Sequence, residues 1–272
     1  MKVLVIGGDT RMDYAADKLS ELYETQRLSD NCSELSGCFD VLVLPLPLTK
    51  NGTDIFAPKS GEPIAFEIIE KFAKENALIL AGGDSPLLLR ICAEKGFSPE
   101  NYFSRETLTL KNAVLTAEAA CAMLSQSTNG ALLYSSALIT GYGRISRALA
   151  VRLKANGCSV TVAARRREQR TAAELDGFEA VSPEDMPKTL CNFNYIANTV
   201  PYPLFSEKDF SEMQKECVFM ELASLPEQPT RSLAEKHGIN YIYASGLPGK
   251  CSPQKAGEFI AEEIINILGN IV

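Results

Sequence analysis

The chain has little of what several functional classes require. It carries one histidine, and its eight cysteines contain no C-x-x-C pair, so the clustered ligands of a metal site are missing and we expect no metal. No run of about 18 apolar residues occurs, so we expect no membrane span. Acidic residues outnumber basic ones, giving a net charge of −7 and a pI near 5.0. A nucleic-acid binder would carry a basic surface instead.

The cysteines are scattered along the chain, and most lie within apolar runs: Cys32, Cys38, Cys92, Cys121, Cys158, Cys191, Cys217 and Cys251. This usage predicts reduced packing residues in a cytoplasmic protein. The first residues, Met1–Gly7, read as a strand entering a turn and lack a signal-peptide cleavage pattern. Both observations favour a cytoplasmic location.

Strand-like and helix-like segments alternate from end to end, which is typical of parallel sheets covered by helices. With 272 residues the chain is long enough for two domains. The sequence predicts an α/β fold of two Rossmann-like, doubly wound parallel-sheet domains. The first comprises residues 1–111 plus 253–272, and the second comprises 112–252. A linker helix, Asn112–Ser125, joins them, and a final helix, Ser252–Leu268, returns to the first domain.

The individual elements follow from the same patterns. Strands are predicted at Lys2–Ile6, Asp40–Leu44, Ala77–Ala81, Tyr102–Ser104, Leu133–Thr140, Cys158–Ala164, Phe193–Asn198, Cys217–Glu221 and Asn240–Ala244. Further helices are predicted at Asp13–Glu24, Pro63–Glu75, Ser85–Lys95 and Arg144–Asn156.

A glycine-rich turn follows the strand that ends at Thr140, in the order Gly141-Tyr142-Gly143-Arg144-Ile145-Ser146. Gly141 would permit the tight exit from the strand, and Gly143 would let backbone N–H groups approach a pyrophosphate. The helix starting at Arg144 would point its positive end at the phosphates, with Ile145 in the same first turn. The spacing and its strand–turn–helix context therefore predict a dinucleotide site.

Three arginines, Arg165 to Arg167, follow the next strand, where an NAD site would carry an acidic residue for the ribose 2′-hydroxyl. Guanidinium groups bind phosphate oxygens in pairs, so Arg165 and Arg166 favour the 2′-phosphorylated cofactor, NADP. The alternative is a structural turn followed by a solvated basic loop.

Further loops leave strand ends in the same half of the chain. Asn198-Thr199-Val200-Pro201 should lie near the nicotinamide, where Asn198 and Thr199 could hold the carboxamide. Ser224 and Gly246 also follow strands, and Gly246-Leu247-Pro248-Gly249 suggests backbone that approaches a ligand rather than an ordinary helix start. Structural turns are the alternative at each of these places.

Several of these segments resemble the dipicolinate synthase A-subunit family. The resemblance rests on Asn112-Ala113-Val114-Leu115-Thr116-Ala117-Glu118, Gly7-Gly8-Asp9-Thr10-Arg11, Gly141-Tyr142-Gly143-Arg144, Ala164-Arg165, Asn198-Thr199-Val200-Pro201, Leu222-Ala223-Ser224, Gly246-Leu247-Pro248-Gly249-Lys250-Cys251-Ser252-Pro253 and Lys255-Ala256-Gly257. It implies two Rossmann-like domains, NADP in the second, and oxidation of a cyclic tetrahydrodipicolinate to the dipicolinate of endospores. It also implies that a flavoprotein-like B-subunit of dipicolinate synthase is the partner and that the setting is the mother-cell cytoplasm.

A dicarboxylate substrate needs cationic or hydroxyl donors. Thr116 and Lys255 are the first candidates, because both are expected at helix starts near the ligand, and Glu118 could act as a base or interact with a helix N-terminus. Further candidates for the carboxylates are Arg11, Lys250 and Ser252. His237 precedes Gly238 at a predicted helix end and is expected to be structural, which weighs against a 2-hydroxyacid dehydrogenase with a histidine base.

Two other functions stay open. The residues Leu225-Pro226-Glu227 replace the family's usual turn after Ser224, which favours a different NADP-dependent dehydrogenase of a small amino or keto dicarboxylate. The lack of an evident acid–base residue favours a nucleotide-binding regulatory protein without its own turnover. A homo-oligomer is expected from the fold class alone.

Overall fold

The structure is a computed structural model that describes residues 1–29, 35, 37–127, 131–224 and 226–270. Cys32 and Leu225, which the sequence analysis singled out, lie outside the described residues. The chain forms two compact units, one of residues 1–112 and 248–272 and the other of residues 113–247. Within the described ranges, no helix is long and apolar enough to cross a membrane.

The first unit is built on a five-stranded parallel sheet. Up to the unit boundary its elements are β1 Lys2–Ile6, α1 Thr10–Ser20, β2 Glu24–Leu28, β3 Phe39–Val43, β4 Asp54–Ile55, β5 Ile64–Ala65, α2 Ile68–Phe72, β6 Ala73–Ala81, α3 Pro86–Lys95, β7 Ser98–Asn101, a 3-10 helix Tyr102–Ser104 and the start of α4 Glu106–Gln126. The strand order is β2-β1-β3-β6-β7, and β4 and β5 form a separate antiparallel pair. Four consecutive residues of β1, Val3 to Ile6, are fully buried, as expected for a strand covered on both faces.

The second unit contains a six-stranded parallel sheet. After α4 its elements are β8 Ser136–Thr140, α5 Arg144–Ala155, β9 Ser159–Ala163, α6 Arg167–Leu175, β10 Glu179–Val181, a 3-10 helix Met186–Asn192, β11 Tyr195–Asn198, α7 Glu207–Glu212, β12 Val218–Glu221, α8 Thr230–Lys236 and β13 Asn240–Tyr243. The order is β10-β9-β8-β11-β12-β13. The direction of winding reverses between β8 and β11, and open α/β sheets bind ligands at such a reversal.

Two helices complete the chain, α9 Leu247–Cys251 and α10 Pro253–Gly269, and α10 packs against α1. Gly257 allows the close approach, since a Cβ added there would lie 2.3 Å from the Arg11 carbonyl oxygen and 2.7 Å from Tyr14 Cβ. The predicted fold class, including the return of the last helix to the first sheet's unit, is confirmed.

Several predicted elements differ from the observed ones. Tyr102–Ser104 is a 3-10 turn rather than a strand, because the Asn101 side chain accepts hydrogen bonds from the N–H groups of Phe103 and Ser104. The predicted helix Pro63–Glu75 shrinks to α2, since the chain pairs as β5 before it and begins β6 at Ala73. The strand predicted from Leu133 begins only at Ser136, because Tyr134 adopts a φ of +62°.

The cysteines were only partly predicted. In the described part of the chain all are free thiols, and Cys92, Cys158 and Cys217 are buried as packing residues. Cys38, Cys191 and Cys251 are exposed, so the packing role that was predicted for most of the cysteines does not apply to these three. Burial raises the pKa of Cys217 to about 12, which makes this thiol unreactive at neutral pH.

Candidate nucleotide-binding site

The turn after β8 strongly favours glycine at its first position. Gly141 has a φ of +78°, and its N–H donates to the Ala163 carbonyl at 2.7 Å, which joins the turn to the end of β9. A Cβ on Gly141 would lie 3.0 Å from Val200 Cγ2 and 3.2 Å from Thr199 Oγ1. The turns after β8 and β11 are therefore in contact, and any side chain at Gly141 would push them apart.

Gly143 serves a different purpose, as the N-cap of α5. Its φ of −96° is open to other residues, yet a Cβ built on it would meet no atom within 4 Å. The space in front of this residue could admit a phosphate group at the positive end of the helix. The Gly143 N–H itself donates to the buried Ser146 hydroxyl at 2.6 Å, so the sequence analysis missed a capping role for Ser146. The N–H groups that donate to a bound anion would therefore be those in the first turn of α5, and not the N–H of Gly143.

Tyr142, between the two glycines, is an anchor that the motif did not reveal. The side chain is buried, and its hydroxyl donates to Asp176 Oδ2 at 2.5 Å. Burial, together with the Asp176 carboxylate, raises the pKa of Tyr142 above its usual range. The guanidinium of Arg147 lies 4.7 Å from the ring centroid, and Phe178 meets the ring edge-on at 6.3 Å. The glycine-rich turn is thus fixed to the elements that follow β9.

The arginines after β9 are exposed at the end of that strand. Arg166 is the N-cap residue of α6, and no carboxylate in the described ranges pairs with the guanidinium of Arg165 or Arg166. Arg170, one helical turn further on, donates from Nη1 to the carbonyl oxygens of Ala164 at 2.8 Å and Arg165 at 2.9 Å. Arg170 therefore holds the loop that presents the two cations, and sequence reasoning did not identify it.

A buried polar cluster joins the carboxyl ends of β8, β11 and β12. The Thr140 hydroxyl donates to Asn198 Oδ1 at 2.5 Å, and Asn198 Nδ2 donates to both carboxylate oxygens of Glu221 at 3.0 Å. Burial raises the pKa of Glu221, while the hydrogen bonds from Asn198 and the Ala223 N–H lower it by less. The sequence analysis gave Glu221 as the end of a strand and assigned it no role of its own.

The polar atoms of Asn198 and Thr199 are used within the protein. Asn198 Oδ1 also accepts from the Val200 N–H at 3.2 Å. The Thr199 hydroxyl donates to the Thr140 carbonyl at 2.7 Å, and the Thr199 N–H donates to the Thr140 hydroxyl at 3.2 Å. The side chains of Asn198 and Thr199 therefore form hydrogen bonds that shape the turn ending in Val200 and Pro201.

Other sequence-predicted residues lie on the remaining strand ends of this unit. Ser224 is exposed in the turn that follows β12, which ends at Glu221. Gly246 has a φ of +68°, and a Cβ on it would meet nothing within 4 Å. The segment after it was expected not to be a helix start, but α9 begins at Leu247. The sequence signal was wrong here because a single short helical turn tolerates Pro248 in its first positions.

The three predicted catalytic residues belong to two different units, Thr116 and Glu118 to the second and Lys255 to the first. Thr116 and Glu118 lie in the middle of α4, not at a helix start, because that helix already begins at Glu106. Thr116 is buried, and Glu118 pairs with Arg152 Nη2 at 3.0 Å on the helix surface. Lys255 does lie in the first turn of α10, in the other unit, where its ammonium pairs with Glu258.

Arg11 is used inside the first unit rather than offered to a ligand. It is buried, its Nε donates to Asp9 Oδ1 at 2.9 Å, and its Nη2 donates to the Leu46 carbonyl at 2.5 Å. Asp9 caps α1 at the same time by accepting from the Arg11 N–H. The ion pair therefore fixes the start of α1. His237 is the C-cap residue of α8, with Gly238 following at a φ of +70°, as the sequence predicts.

Two family models and a curated relative match the chain. Residues 2–103 match the family model of the dipicolinate synthase A-subunit N-terminal domain, and residues 105–225 match the family described as D-isomer specific 2-hydroxyacid dehydrogenase, NAD binding domain. The chain is 24% identical to the dipicolinate synthase A-subunit of Bacillus subtilis (strain 168) over 288 residues, covering 100% of this chain and 97% of that protein.

Solved structures show the same fold. The dipicolinate synthase A-subunit from Bacillus halodurans superposes with a TM-score of 0.86 at 24% identity, over 98% of this chain and 97% of that one. A transhydrogenase from Sinorhizobium meliloti superposes with a TM-score of 0.70 at 11% identity, over 100% and 93%. The second unit thus has a dehydrogenase fold of the kind that binds NAD or NADP.

Proposed function

Because the chain belongs to the dipicolinate synthase A-subunit family, we propose that it is an NADP-dependent oxidoreductase that converts a cyclic tetrahydrodipicolinate, or its hydroxylated form, to dipicolinate. The observation that carries the cofactor assignment is the pair Arg165 and Arg166, exposed and without a carboxylate partner in the described ranges, at the end of β9. When bound, the nicotinamide ring would supply the hydride-accepting chemistry.

The residues of the second unit fit such a cofactor. The open space at Gly143 and the first turn of α5, including Arg144 and Ile145, would receive the pyrophosphate. Arg165 and Arg166 would bind the 2′-phosphate. The backbone of Val200 and Pro201, held by the cluster at Thr140 and Asn198, would border the nicotinamide, with Ser224 and Gly246 on the neighbouring strand ends.

The substrate would be a dicarboxylate. Lys255 and Thr116 remain the proposed carboxylate ligands, and Glu118 remains the proposed proton carrier. Each charged residue would first exchange a present contact, as Lys255 would leave Glu258 and Glu118 would leave Arg152. Such surface pairs are worth about 0–1 kcal/mol, so a dianionic substrate could displace them. A flavoprotein-like B-subunit and the mother-cell cytoplasm belong to the same proposal through the family, and a homo-oligomeric state belongs to it through the fold class.

The cofactor assignment is tested by charge reversal. Arg165→Asp with Arg166→Ser removes the cations that would meet the 2′-phosphate, so we expect NADP binding to weaken by roughly 3 kcal/mol, on the order of a hundredfold in Kd. NAD lacks that phosphate and should change far less. Isothermal titration calorimetry of both cofactors at one salt concentration measures the difference.

A matched control is available in the same unit. Lys208→Asp with Lys215→Ser makes the same change in net charge at two exposed lysines. If this variant lost NADP affinity as strongly, the effect would come from the overall field rather than from the two arginines. Equal losses for NADP and NAD in the arginine variant would reject the 2′-phosphate assignment.

The reaction is tested by combining the protein with the B-subunit, NADP and the tetrahydrodipicolinate precursor and measuring dipicolinate; no product would reject it. Turnover of another amino or keto dicarboxylate, scored by NADPH absorbance, would support the alternative dehydrogenase. The engagement of Glu118 with Arg152 favours a second candidate, a nucleotide-binding regulatory protein without turnover of its own. Single substitutions of Thr116, Glu118 and Lys255 that leave the rate unchanged would support it.

A further inference from the structure

The polar cluster in the second unit is buried to an unusual degree for the residue types that form it. Thr140 is 0% exposed, Asn198 is 2% exposed and Glu221 is 1% exposed. Burying a carboxylate is costly unless hydrogen bonds compensate it. Three adjacent parallel strands, β8, β11 and β12, each contribute one of these side chains as their last residue. The cluster therefore lies at the reversal of strand order that the cofactor would occupy.

Glu221 determines which way the Asn198 amide faces. Both carboxylate oxygens accept from Asn198 Nδ2, and a carboxylate offers no donor in return. The amide oxygen must then point to the other side, where it accepts from the Thr140 hydroxyl and the Val200 N–H. A reversed amide would set an NH₂ group against the Val200 N–H, which cannot become an acceptor.

The same carboxylate also holds a second turn. Glu221 Oε1 accepts from the Ala223 N–H at 3.0 Å, and the Asn198 carbonyl accepts from the N–H groups of Leu222 and Ala223 at 2.8 and 3.1 Å. The turns after β11 and β12 are thereby tied to one buried group. Val200, in the turn after β11, lies 3.0 Å from the position that a Cβ on Gly141 would take. The position of the glycine-rich turn therefore depends on the turn after β11.

We propose that Glu221 is a positioning residue for the dinucleotide, which fixes the Asn198 amide and through it the Thr199-Val200-Pro201 turn against Gly141. The inference rests on the proposed cofactor function and assigns a role to a residue outside the fingerprint. Glu221 acts through Asn198 and not on the 2′-phosphate, so it supports NADP and NAD alike. This sets it apart from Arg165 and Arg166.

Glu221→Gln tests the role with little change in shape. One carboxylate oxygen becomes an NH₂ group 3.0 Å from Asn198 Nδ2, so two donors face each other and one of the two hydrogen bonds that orient the amide is lost. We expect the Kd of NADP and of NAD to rise by about tenfold each, which corresponds to the loss of one hydrogen bond to a charged group. Calorimetry with the two cofactors measures both constants.

A structural control exists at the opposite ends of the same strands. Asn194 Oδ1 accepts from the Ser136 N–H at 2.9 Å and from the Ser136 hydroxyl at 3.1 Å, linking β11 to β8 at their amino ends. Asn194→Ala should lower the free energy of unfolding and leave both Kd values unchanged. If Asn194→Ala weakened binding as much as Glu221→Gln does, the effect would be general loosening of the sheet and the inference would be overturned.

Exchanging the two groups provides a rescue. In the double variant Asn198→Asp with Glu221→Gln, the aspartate oxygens can accept from Thr140, Val200 and the new glutamine NH₂, and the glutamine oxygen can accept from Ala223. We expect this variant to recover most of the affinity lost in Glu221→Gln, and to serve alone if that single variant does not fold. Absence of recovery, or unchanged binding by folded Glu221→Gln, would overturn the inference.

The proposed function fails in a different way. If the unaltered protein bound neither NADP nor NAD, the cofactor proposal would fall and this inference with it. If the unaltered protein bound a cofactor and the variants behaved as the control does, only the role of Glu221 would fall.

Discussion

Two kinds of residue lie at the strand ends of the second unit: exposed residues that could contact a ligand, and buried residues that orient neighbouring groups of the protein. Arg165 and Arg166 are exposed cations whose effect on a phosphate would be direct. Glu221 and Asn198 are buried, and every polar atom of the Asn198 side chain already has a partner in the protein. Substitutions in the first group should change selectivity between cofactors, whereas substitutions in the second should change affinity for both.

Glu221 should also leave a signature in the pH dependence of stability. Burial raises its pKa in the native state, so the folded protein holds this proton more tightly than the unfolded chain does. The contribution of protonated Glu221 to the free energy of unfolding is complete below the unfolded pKa of about 4.3. It is lost as the pH rises through the higher native pKa. We expect the free energy of unfolding of the unaltered protein, relative to Glu221→Gln, to fall as the pH rises from the unfolded pKa through the raised native pKa of Glu221.

Urea unfolding of both proteins across that range measures the difference. Burial and the Glu221 carboxylate raise the pKa of Tyr241, on β13, above its usual range, so this phenol stays neutral throughout. A difference that is flat or increases with pH would show that the native pKa of Glu221 is not raised.

At the scale of elements, the two glycines of the glycine-rich turn have different roles: Gly141 meets a conformational requirement, and Gly143 leaves an open space. Gly141 needs a positive φ and lies in contact with the β11 turn, whereas Gly143 needs neither and faces no atom. Two glycines that look equivalent in the fingerprint therefore have different physical reasons. Tyr142 and Ser146, which the fingerprint leaves variable, anchor the turn through Asp176 and the Gly143 N–H.

These reasons predict opposite outcomes for alanine at the two glycines. Gly141→Ala should cost about 1–3 kcal/mol of unfolding free energy, because it combines an unfavourable φ with a close contact to Val200. Gly143→Ala should change stability by less than about 0.5 kcal/mol. Its methyl group would nevertheless occupy the space assigned to the phosphate, so NADP affinity should drop at least about tenfold. Urea unfolding and calorimetry separate the two effects, and normal NADP binding by Gly143→Ala would reject the pyrophosphate placement.

The elements that the sequence misassigned share a cause. Pro63–Glu75 was predicted as one helix, but both of its ends pair with other strands. Ile64 of β5 pairs with β4, and Ala73 of β6 pairs with β3. Tyr102–Ser104 looks strand-like, yet Asn101 caps it into a turn, and the Tyr102 hydroxyl donates to the Leu44 carbonyl 58 positions away. Local patterns fail where a distant strand or carbonyl supplies the partner.

For the whole molecule, the packing of α10 on α1 closes the first unit with the last helix of the chain. Gly257→Ala would place a methyl group 2.3 Å from the Arg11 carbonyl oxygen, so the two helices would have to separate. We expect a loss of about 1–3 kcal/mol, as for an overpacked core. Hydrogen exchange should accelerate in α1 and α10, while β8, β11 and β12 keep their protection and NADP affinity stays unchanged.

Gly269→Ala is the matched control, because a Cβ at the end of α10 meets no atom within 4 Å. This variant should be as stable as the unaltered protein or slightly more so. If Gly257→Ala accelerated exchange equally in the strands of the second sheet, the effect would not be confined to the first unit.

The sequence alone determined the α/β class, the glycine turn, the basic loop after β9 and the family resemblance, because alternating periodicity and turn chemistry are local properties. Only the tertiary structure decided which polar residues act together. Thr140 and Asn198 are 58 positions apart, and Asn198 and Glu221 are 23 apart, yet parallel pairing of β8, β11 and β12 brings their ends into hydrogen-bond contact. Conversely, Thr116 and Glu118 lost their place at a helix start, because α4 begins at Glu106 and extends through both. The order of the strands in the sheet decides which strand ends are neighbours, and no local sequence pattern encodes that order.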